Sequence, residues 1–168
     1  MGWFAGENFE LIDGELVNKM GRNRRHISSV ALIHRWLTHV FDYLQVQQEG
    51  SIDVAPQDNG SNEPEPDLVV LRQPCVRFTA NPRPEDVLLL IEGADTTLEF
   101  DLKKKAQLYA RAGIPDYWVL DINKRRLIVH REPVGGSYAS VLSYRTHESV
   151  APLAASEAPF PVSAAFEE

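Results

Sequence analysis

The fold is decided by two acid-flanked apolar runs, Pro66-Asp67-Leu68-Val69-Val70-Leu71 and Val87-Leu88-Leu89-Leu90-Ile91-Glu92. Short runs that are apolar throughout predict strands covered on both faces of a sheet. Asp67 opens the first run and Glu92 closes the second. If the two strands are neighbours, their carboxylates converge at one edge of the sheet. The pattern therefore predicts a pair of acids at that edge.

Converging carboxylates raise each other's pKa unless a cation neutralises them. Oxygen-only ligands of this kind suit Mg²⁺ or Mn²⁺, with water and a substrate phosphate completing the coordination. Asp67 and Glu92 are therefore candidate metal ligands. The alternative interpretation makes Asp67 a turn residue after Pro66 and Glu92 a solvated strand end. Spacing alone leaves both interpretations open.

The following segment predicts a helix that carries an inward lysine. Thr96-Thr97-Leu98-Glu99 fits a capping box ahead of this helix, and Gly113 follows its last predicted residue, Ala112. Its apolar arc holds Leu98, Leu102, Ala106, Tyr109 and Ala112. Of the three consecutive lysines, only Lys105 projects within this arc. A buried lysine must find an anion or lose its charge, so we expect Lys105 to face the two acids. There it would hold the attacking water or stabilise charge that develops on a phosphate.

The remaining patterns predict a hairpin, a long helix and further strands. Asp13-Gly14 is a hairpin turn signal within residues 9–17. Apolar residues recur at helical spacing over residues 24–44, and His26 lies at the centre of their arc. A histidine on such a face is usually a satisfied core residue, and a role in the site is the alternative. Further strands are expected at residues 52–54, 117–122, 127–130 and 137–144.

Length and composition are typical of one globular domain. The chain has 168 residues, of which 43% are hydrophobic and 24% charged, so we expect a single domain over residues 1–168. The one cysteine, Cys75, excludes an internal disulfide and a cysteine-rich zinc site. No apolar run approaches the ~20 residues that span a bilayer, and the amino terminus lacks the layout of a secretion signal. These features predict a cytoplasmic protein with no membrane partner.

The net charge of −7 argues against a protein that coats nucleic acid by bulk electrostatics. It leaves open a protein that holds phosphates locally through bound metal ions. One basic cluster stands out, made of Lys19, Arg22, Arg24 and Arg25. Such a cluster is either a lip that faces phosphates or, more commonly, a solvated group of side chains.

Several motifs together resemble a large bacterial family. They are Glu10-Leu11-Ile12-Asp13-Gly14-Glu15, Glu65-Pro66-Asp67-Leu68, Ile91-Glu92 and Leu108-Tyr109-Ala110-Arg111-Ala112-Gly113-Ile114-Pro115-Asp116-Tyr117-Trp118. No single motif is diagnostic, but their order and spacing over residues 9–131 are specific. The family resembled is that of restriction-endonuclease-like proteins abundant in cyanobacteria, within the PD-(D/E)XK nuclease superfamily. The resemblance implies an α/β, restriction-endonuclease-like fold in which helices flank a central mixed β-sheet.

The resemblance also implies a Mg²⁺-dependent acidic site. The acids expected to bind the metal are Asp67, Glu92 and Glu15. Lys105 matches a helical lysine that stands in for the usual third position of the motif. His26 and Tyr109 match the family's helix histidine and helical tyrosine, and both are expected at the site.

Two departures from the superfamily pattern follow Glu92. The lysine that usually stands two residues later is replaced by Ala94, so a lysine from elsewhere, such as Lys105, has to do its work. Gly93 replaces a residue that is usually apolar, and we expect it to loosen the end of the strand.

The sequence thus predicts an endonuclease that hydrolyses DNA phosphodiester bonds with Mg²⁺ or Mn²⁺. A homodimer fits this function, because cutting both strands needs two sites. One alternative is a non-catalytic binding or assembly module with the same fold, motivated by Gly93 and the acidic net charge. Another is a metal-dependent hydrolase that acts on RNA or on small phosphoesters.

Overall fold

The computed structural model describes residues 9–19 and 23–166, and it begins with a hairpin. Strands β1 (Phe9–Ile12) and β2 (Glu15–Asn18) pair antiparallel across Asp13 and Gly14. Both turn residues have positive φ, 50° and 78°, which is the geometry that an Asp-Gly pair favours. The predicted hairpin is therefore confirmed. Arg22 of the basic cluster lies outside the described residues.

Helix α1 (Arg24–Val40) follows the hairpin and ends four residues before the predicted end. The side chain of Asn23 caps its first turn by accepting the backbone N–H of His26 at 3.0 Å. Asp42 starts a separate 3₁₀ turn by accepting the N–H of Leu44 at 2.8 Å. The helical spacing beyond residue 40 is thus overridden by a local capping interaction.

A six-stranded mixed sheet forms the centre of the molecule. Its strands, in spatial order, are β3 (Val46–Gln48), β4 (Leu68–Leu71), β5 (Val87–Ala94), β6 (Asp116–Asp121), β7 (Arg126–Val134) and β8 (Ser137–Arg145). Only the β5–β6 pair is parallel among the neighbouring strands of this sheet. The sequence patterns predict all of these strands except β3, a short edge strand. The strand expected at residues 52–54 is wrong: Ile52 and Val54 are buried, but their segment joins no ladder.

The connection from β5 to β6 is helical, as a parallel pair requires. Residues 98–111 form α2 (Leu98–Phe100), a π-helical segment (Asp101–Lys105) and α3 (Ala106–Arg111) in succession. We refer to these residues together as the 98–111 helix. Gly113, with φ of 75°, ends the helix as predicted.

The sheet has an apolar core on each face. One core includes Val69, Leu90 and Tyr109, and so lies between the sheet and the 98–111 helix. The other includes Leu37 and Leu89, and lies between the sheet and α1. Because side chains alternate along a strand, every central strand contributes to both cores, which explains its continuous apolar run.

A buried ion pair attaches the carboxyl-terminal segment to the sheet. Asp116, fully buried at the start of β6, accepts from Arg131 Nε at 2.9 Å and from the N–H of Leu153 at 2.9 Å. Beyond this point β9 (Ser149–Val150) pairs with β10 (Phe160–Pro161). In the part of the chain that the structure describes, no helix has the length and apolar character needed to cross a bilayer.

Candidate active site

Asp67 and Glu92 lie side by side where β4 and β5 pair. The strands are antiparallel with Leu68 opposite Ile91, so Asp67 and Glu92 are neighbours in the next position. Their side chains are 5% and 3% exposed, and the N–H of Asp67 lies 3.4 Å from Glu92 Oε2. The two acids therefore converge, as the sequence predicts. Glu92 lies within β5, however, because this strand continues for two residues beyond it.

Lys105 reaches these acids from the 98–111 helix. Its ammonium lies 2.7 Å from Glu92 Oε1, 2.7 Å from Glu10 Oε1 and 3.7 Å from Asp101 Oδ1. Asp101 opens the π-helical segment and Lys105 closes it, and both face the site because residues four apart lie on the same side of a helix. Only 3% of the lysine side chain is exposed, so the surrounding carboxylates are what keep it charged.

Glu10, rather than the predicted Glu15, is the amino-terminal acid at this site. Besides Lys105, Glu10 contacts the backbone N–H of Glu65, which donates to its Oε2 at 3.1 Å. Glu15 begins β2 beside the hairpin turn, is exposed, and makes no side-chain contact to the site among the described residues. The alternation that turns Ile12 inward also turns Glu10 inward, and this signal was sufficient to identify it.

His26 reaches Asp67 from α1, on the other side of the sheet. Its Nε2 lies 3.1 Å from Asp67 Oδ2 and 3.0 Å from the carbonyl oxygen of Gly93. Two acceptors face this nitrogen, so Nε2 carries a proton and donates it. The backbone N–H of Gly93 also donates to Asp67 Oδ2, at 2.8 Å. These contacts fix the orientation of the aspartate and direct its Oδ1 toward Lys19, 3.8 Å away.

Gly93 makes this approach of His26 possible. A Cβ at this position would lie 3.0 Å from His26 Nε2 and 3.1 Å from Val30 Cγ2, closer than ordinary contacts. The expectation that Gly93 loosens the strand end is wrong, because β5 continues through it and pairs with Leu120 of β6. The missing side chain instead provides space for the imidazole.

Two further hydroxyl groups complete the hydrogen bonds around the acids. Tyr109, fully buried on the 98–111 helix, donates to Glu92 Oε1 at 3.3 Å. Burial and the charge of Glu92 raise the pKa of Tyr109 well above its usual value, so the phenol stays protonated as a donor. Thr97 donates to Asp101 Oδ2 at 2.8 Å and makes no side-chain cap, so the predicted capping box does not form.

These side chains surround a cavity of about 50 Å³. The charged and titratable residues that line it are Glu10, Lys19, His26, Asp67, Glu92, Asp95, Asp101 and Lys105. The volume has room for a few water molecules, since about 10–15 Å³ of such space holds one. The structure thus brings together Asp67, Glu92, Lys105 and His26, with Tyr109 directly behind them.

The electrostatics of the two central acids differ. Burial tends to raise the pKa of Asp67, but the hydrogen bond from His26, the charge of Lys19 and the N–H of Gly93 outweigh it and lower the pKa to about 2. Burial raises the pKa of Glu92 to about 8, and the charge of Lys105 only partly opposes this. Asp67 is therefore ionised at neutral pH, whereas the ionised form of Glu92 depends on the cations beside it and would be favoured further by another cation in the cavity.

A divalent cation fits this set of donors. Five carboxylates and two lysines line the cavity within the described ranges, which leaves an excess of negative charge. No group of three or more histidine, cysteine or acidic side chains in those ranges forms a ready-made metal cluster. Mg²⁺ commonly takes only one or two protein carboxylates and keeps several waters, so Asp67 and Glu92 suffice as its protein ligands. Because burial raises the pKa of Glu92, a cation in the cavity would favour the ionised form of this carboxyl group.

Known structures define the class of this fold. It is similar to the crystal structure of a "putative nuclease belonging to DUF820" from Anabaena variabilis, with a TM-score of 0.72 and 17% sequence identity. The similarity covers 94% of this chain and 89% of that one. The fold is thus α/β and nuclease-like, with a central mixed sheet.

Sequence comparison gives the family. The chain belongs to the Uma2 family, described as "Putative restriction endonuclease", whose model matches residues 4–161. Among curated proteins, no sequence relative was found. The membership supports a nuclease function in general, as the sequence motifs predict.

Proposed function

We propose that this protein is a metal-dependent endonuclease that hydrolyses phosphodiester bonds in DNA. The observation that carries the proposal is the meeting of Asp67, Glu92 and a buried, charged Lys105 at one small cavity. The family's description adds nucleic acid as the expected class of substrate. An acid pair beside a lysine, together with space for water, suits hydrolysis of a phosphate ester.

Asp67 and Glu92 would hold Mg²⁺ or Mn²⁺ at this cavity. When bound, the ion supplies Lewis-acid polarisation of a phosphate oxygen and lowers the pKa of a nearby water. Asp67 is prepared for this role because His26 and Gly93 occupy its Oδ2 and hold the carboxylate in one orientation. Glu92 is similarly held through Oε1 by Lys105 and Tyr109.

Lys105 supplies a fixed positive charge beside the reacting groups. Burial tends to lower its pKa, but Glu92, Glu10 and Asp101 outweigh that effect and raise it. The ammonium therefore stays protonated and stabilises the negative charge that develops on the attacking water and the phosphate. Glu10 acts through Lys105 and is a positioning residue.

A plasmid-nicking assay with Mg²⁺ or Mn²⁺ tests the proposal. Asp67→Asn removes one ligand charge at nearly constant shape, and we expect the nicking rate to fall about 100-fold or more. Glu15→Gln is the matched control, because this exposed acid lies outside the cavity, and it should nick within about twofold of the wild type. Equal nicking by the wild type and Asp67→Asn, or none by the wild type, would contradict the proposal. The second outcome is what a non-catalytic module predicts.

A further inference from the structure

Six of the chain's 17 lysines and arginines lie together on one face, beside the candidate active site. They are Arg24, Arg25, Lys124, Arg125, Arg126 and Arg145. Arg24 and Arg25 begin α1, Lys124 and Arg125 belong to the β6–β7 connection, Arg126 begins β7, and Arg145 ends β8. We call this surface the basic face. It contrasts with the net charge of −7 for the whole chain.

Two adjoining concavities make the basic face continuous. A groove of about 240 Å³ lies between the start of α1 and Arg125, and a second depression of about 730 Å³ runs from Arg125 to Arg145. Because Arg125 lines both, the cations follow one another across the surface. A cluster of cations on one face is the electrostatic feature that binds a nucleic-acid backbone.

The positive charge of this face is available to a ligand. Arg126 is paired with Asp121 at 2.8 Å. Within the described residues, the other five cations of the face form no salt bridge to a carboxylate. Asp121 also accepts the backbone N–H of Lys124 at 3.1 Å, which holds the turn in place. The fold thus presents Lys124 and Arg125, both exposed, on a fixed support.

A chain of hydrogen bonds joins the basic face to the rim of the cavity. Arg25 Nη2 donates to Asn123 Oδ1 at 2.9 Å, and Asn123 Nδ2 donates to Asp95 Oδ1 at 2.8 Å. Asp95 lines the cavity that holds Asp67 and Glu92. The basic face therefore begins at the rim of the cavity.

We infer that the basic face binds the phosphate backbone of duplex DNA next to the cleavage point. This inference rests on the proposed function and extends it, since it assigns the surface that holds substrate outside the cavity. Backbone contacts of this kind position a duplex without reading its sequence. The basic face therefore supplies affinity, and the cavity supplies the chemistry.

Equilibrium binding without cleavage tests the inference. A fluorescent 20-base-pair duplex is titrated with protein in EDTA at several salt concentrations, and anisotropy is recorded. The face variant combines Lys124→Gln, Arg125→Asn and Arg145→Gln. Asparagine is chosen because it tolerates the positive φ of 51° at residue 125. We expect affinity to fall about tenfold or more, and the slope of log K against log salt to decrease by about three.

A charge-matched control separates the effect of the basic face on DNA binding from the effect of net charge. Arg77→Gln, Arg83→Gln and Lys103→Gln also remove three exposed cations, but these lie outside the basic face. This triple variant should bind within about twofold of the wild type if contact is local. Equal losses in the two triple variants, or no salt-dependent binding by the wild type, would overturn the inference. Thermal melting checks that each variant folds. If the triple face variant does not fold, Lys124→Gln alone replaces it and is expected to decrease the slope by about one.

The binding and nicking assays can fail independently. Binding that depends on the basic face, without any nicking, would refute the proposed function and leave the inference standing. Nicking by the wild type, with unchanged DNA binding in the face variant, would support the proposed function and overturn the inference.

Discussion

Lys105 owes both its burial and its charge to the acids around it. Three carboxylates lie within 3.7 Å of one ammonium, so the lysine cannot be exchanged for a neutral residue without exposing their mutual repulsion. The same arrangement keeps a positive charge on the lysine beside the two central acids. Stability and the proposed chemistry therefore depend on the same side chain.

Replacement of this lysine should affect both properties. For Lys105→Gln we expect nicking to fall about 100-fold or more and the free energy of unfolding at neutral pH to drop by about 3 kcal/mol. Lys103→Gln is the control, because Lys103 lies on the same helix but is exposed and forms an exposed ion pair with Glu99. Plasmid nicking and urea denaturation measure the two effects. A Lys105→Gln protein as active as the control would remove the lysine from the mechanism.

Metal binding should depend on pH through Glu92. Its pKa of about 8 means that at lower pH a proton has to leave before a cation can bind the carboxylate. The affinity for Mn²⁺ should therefore rise from pH 6 to pH 8, by up to about tenfold per pH unit for one displaced proton. Calorimetric titration in two buffers of different ionisation enthalpy measures both the affinity and the proton release.

Glu92→Gln supplies the control for this measurement. Its side chain holds no titratable proton, so the pH dependence should weaken along with the affinity. Binding by the wild type that is tight at pH 6 and releases no proton would contradict the assigned role of Glu92.

At the scale of elements, the contact between α1 and β5 sets the position of Asp67. His26 can approach β5 because Gly93 has no side chain, and the same approach brings its Nε2 to the carboxylate. A glycine inside a strand usually weakens it. Here the loss is offset by a histidine that links a helix on one face to an acid facing the other.

Gly93→Ala should disturb this link. The added Cβ would press on the His26 ring, and we expect a loss of about 1–3 kcal/mol in stability and a clear fall in nicking. Gly60→Ala is the control, since nothing lies within 4 Å of a Cβ there. Combining Gly93→Ala with His26→Ala should recover part of the stability, because the contact with Val30 remains, but it should not recover nicking. Full activity in Gly93→Ala would show that the position of His26 does not matter.

Sequence periodicity predicts most of these elements, and the exceptions have local causes. Continuous apolar runs predict β4, β5 and β6 because these strands are covered on both faces of the sheet and show no polar alternation. The predicted end of α1 is wrong because Asp42 and Gln45 form a capping box that competes with the helical spacing. Edge strand β3 is missed because three residues carry too little pattern.

The site itself is predictable in the same uneven way. The strand period of two residues and the helical period of 3.6 residues predict two acids at adjacent strands and one inward-facing lysine. Asp67, Glu92 and Lys105 can therefore be identified from the sequence. Glu15 is predicted in place of Glu10 because the resemblance to the family indicates an acid near the hairpin but does not indicate which way its side chain points. The π-helical segment cannot be predicted from the sequence, since the apolar residues on either side of it recur with ordinary helical spacing.

At the scale of the whole molecule, charge is strongly segregated. An acidic cavity lies next to the basic face within a chain of net charge −7. Such a pattern favours a polyanionic substrate. The basic face would bind it, and it would be cut at the cavity, where a bound cation compensates the acids. The expected homodimer would double this arrangement, and it stays a prediction.

The central claim is that Asp67 and Glu92 together seat a divalent cation beside Lys105. Crystals soaked in Mn²⁺ test it most directly, through anomalous diffraction. We predict a peak between the two carboxylates, at direct coordination distances of about 2 Å, which is lost in Asp67→Asn. A Mn²⁺-loaded crystal with no peak there, or with a peak that persists in Asp67→Asn, would contradict the account.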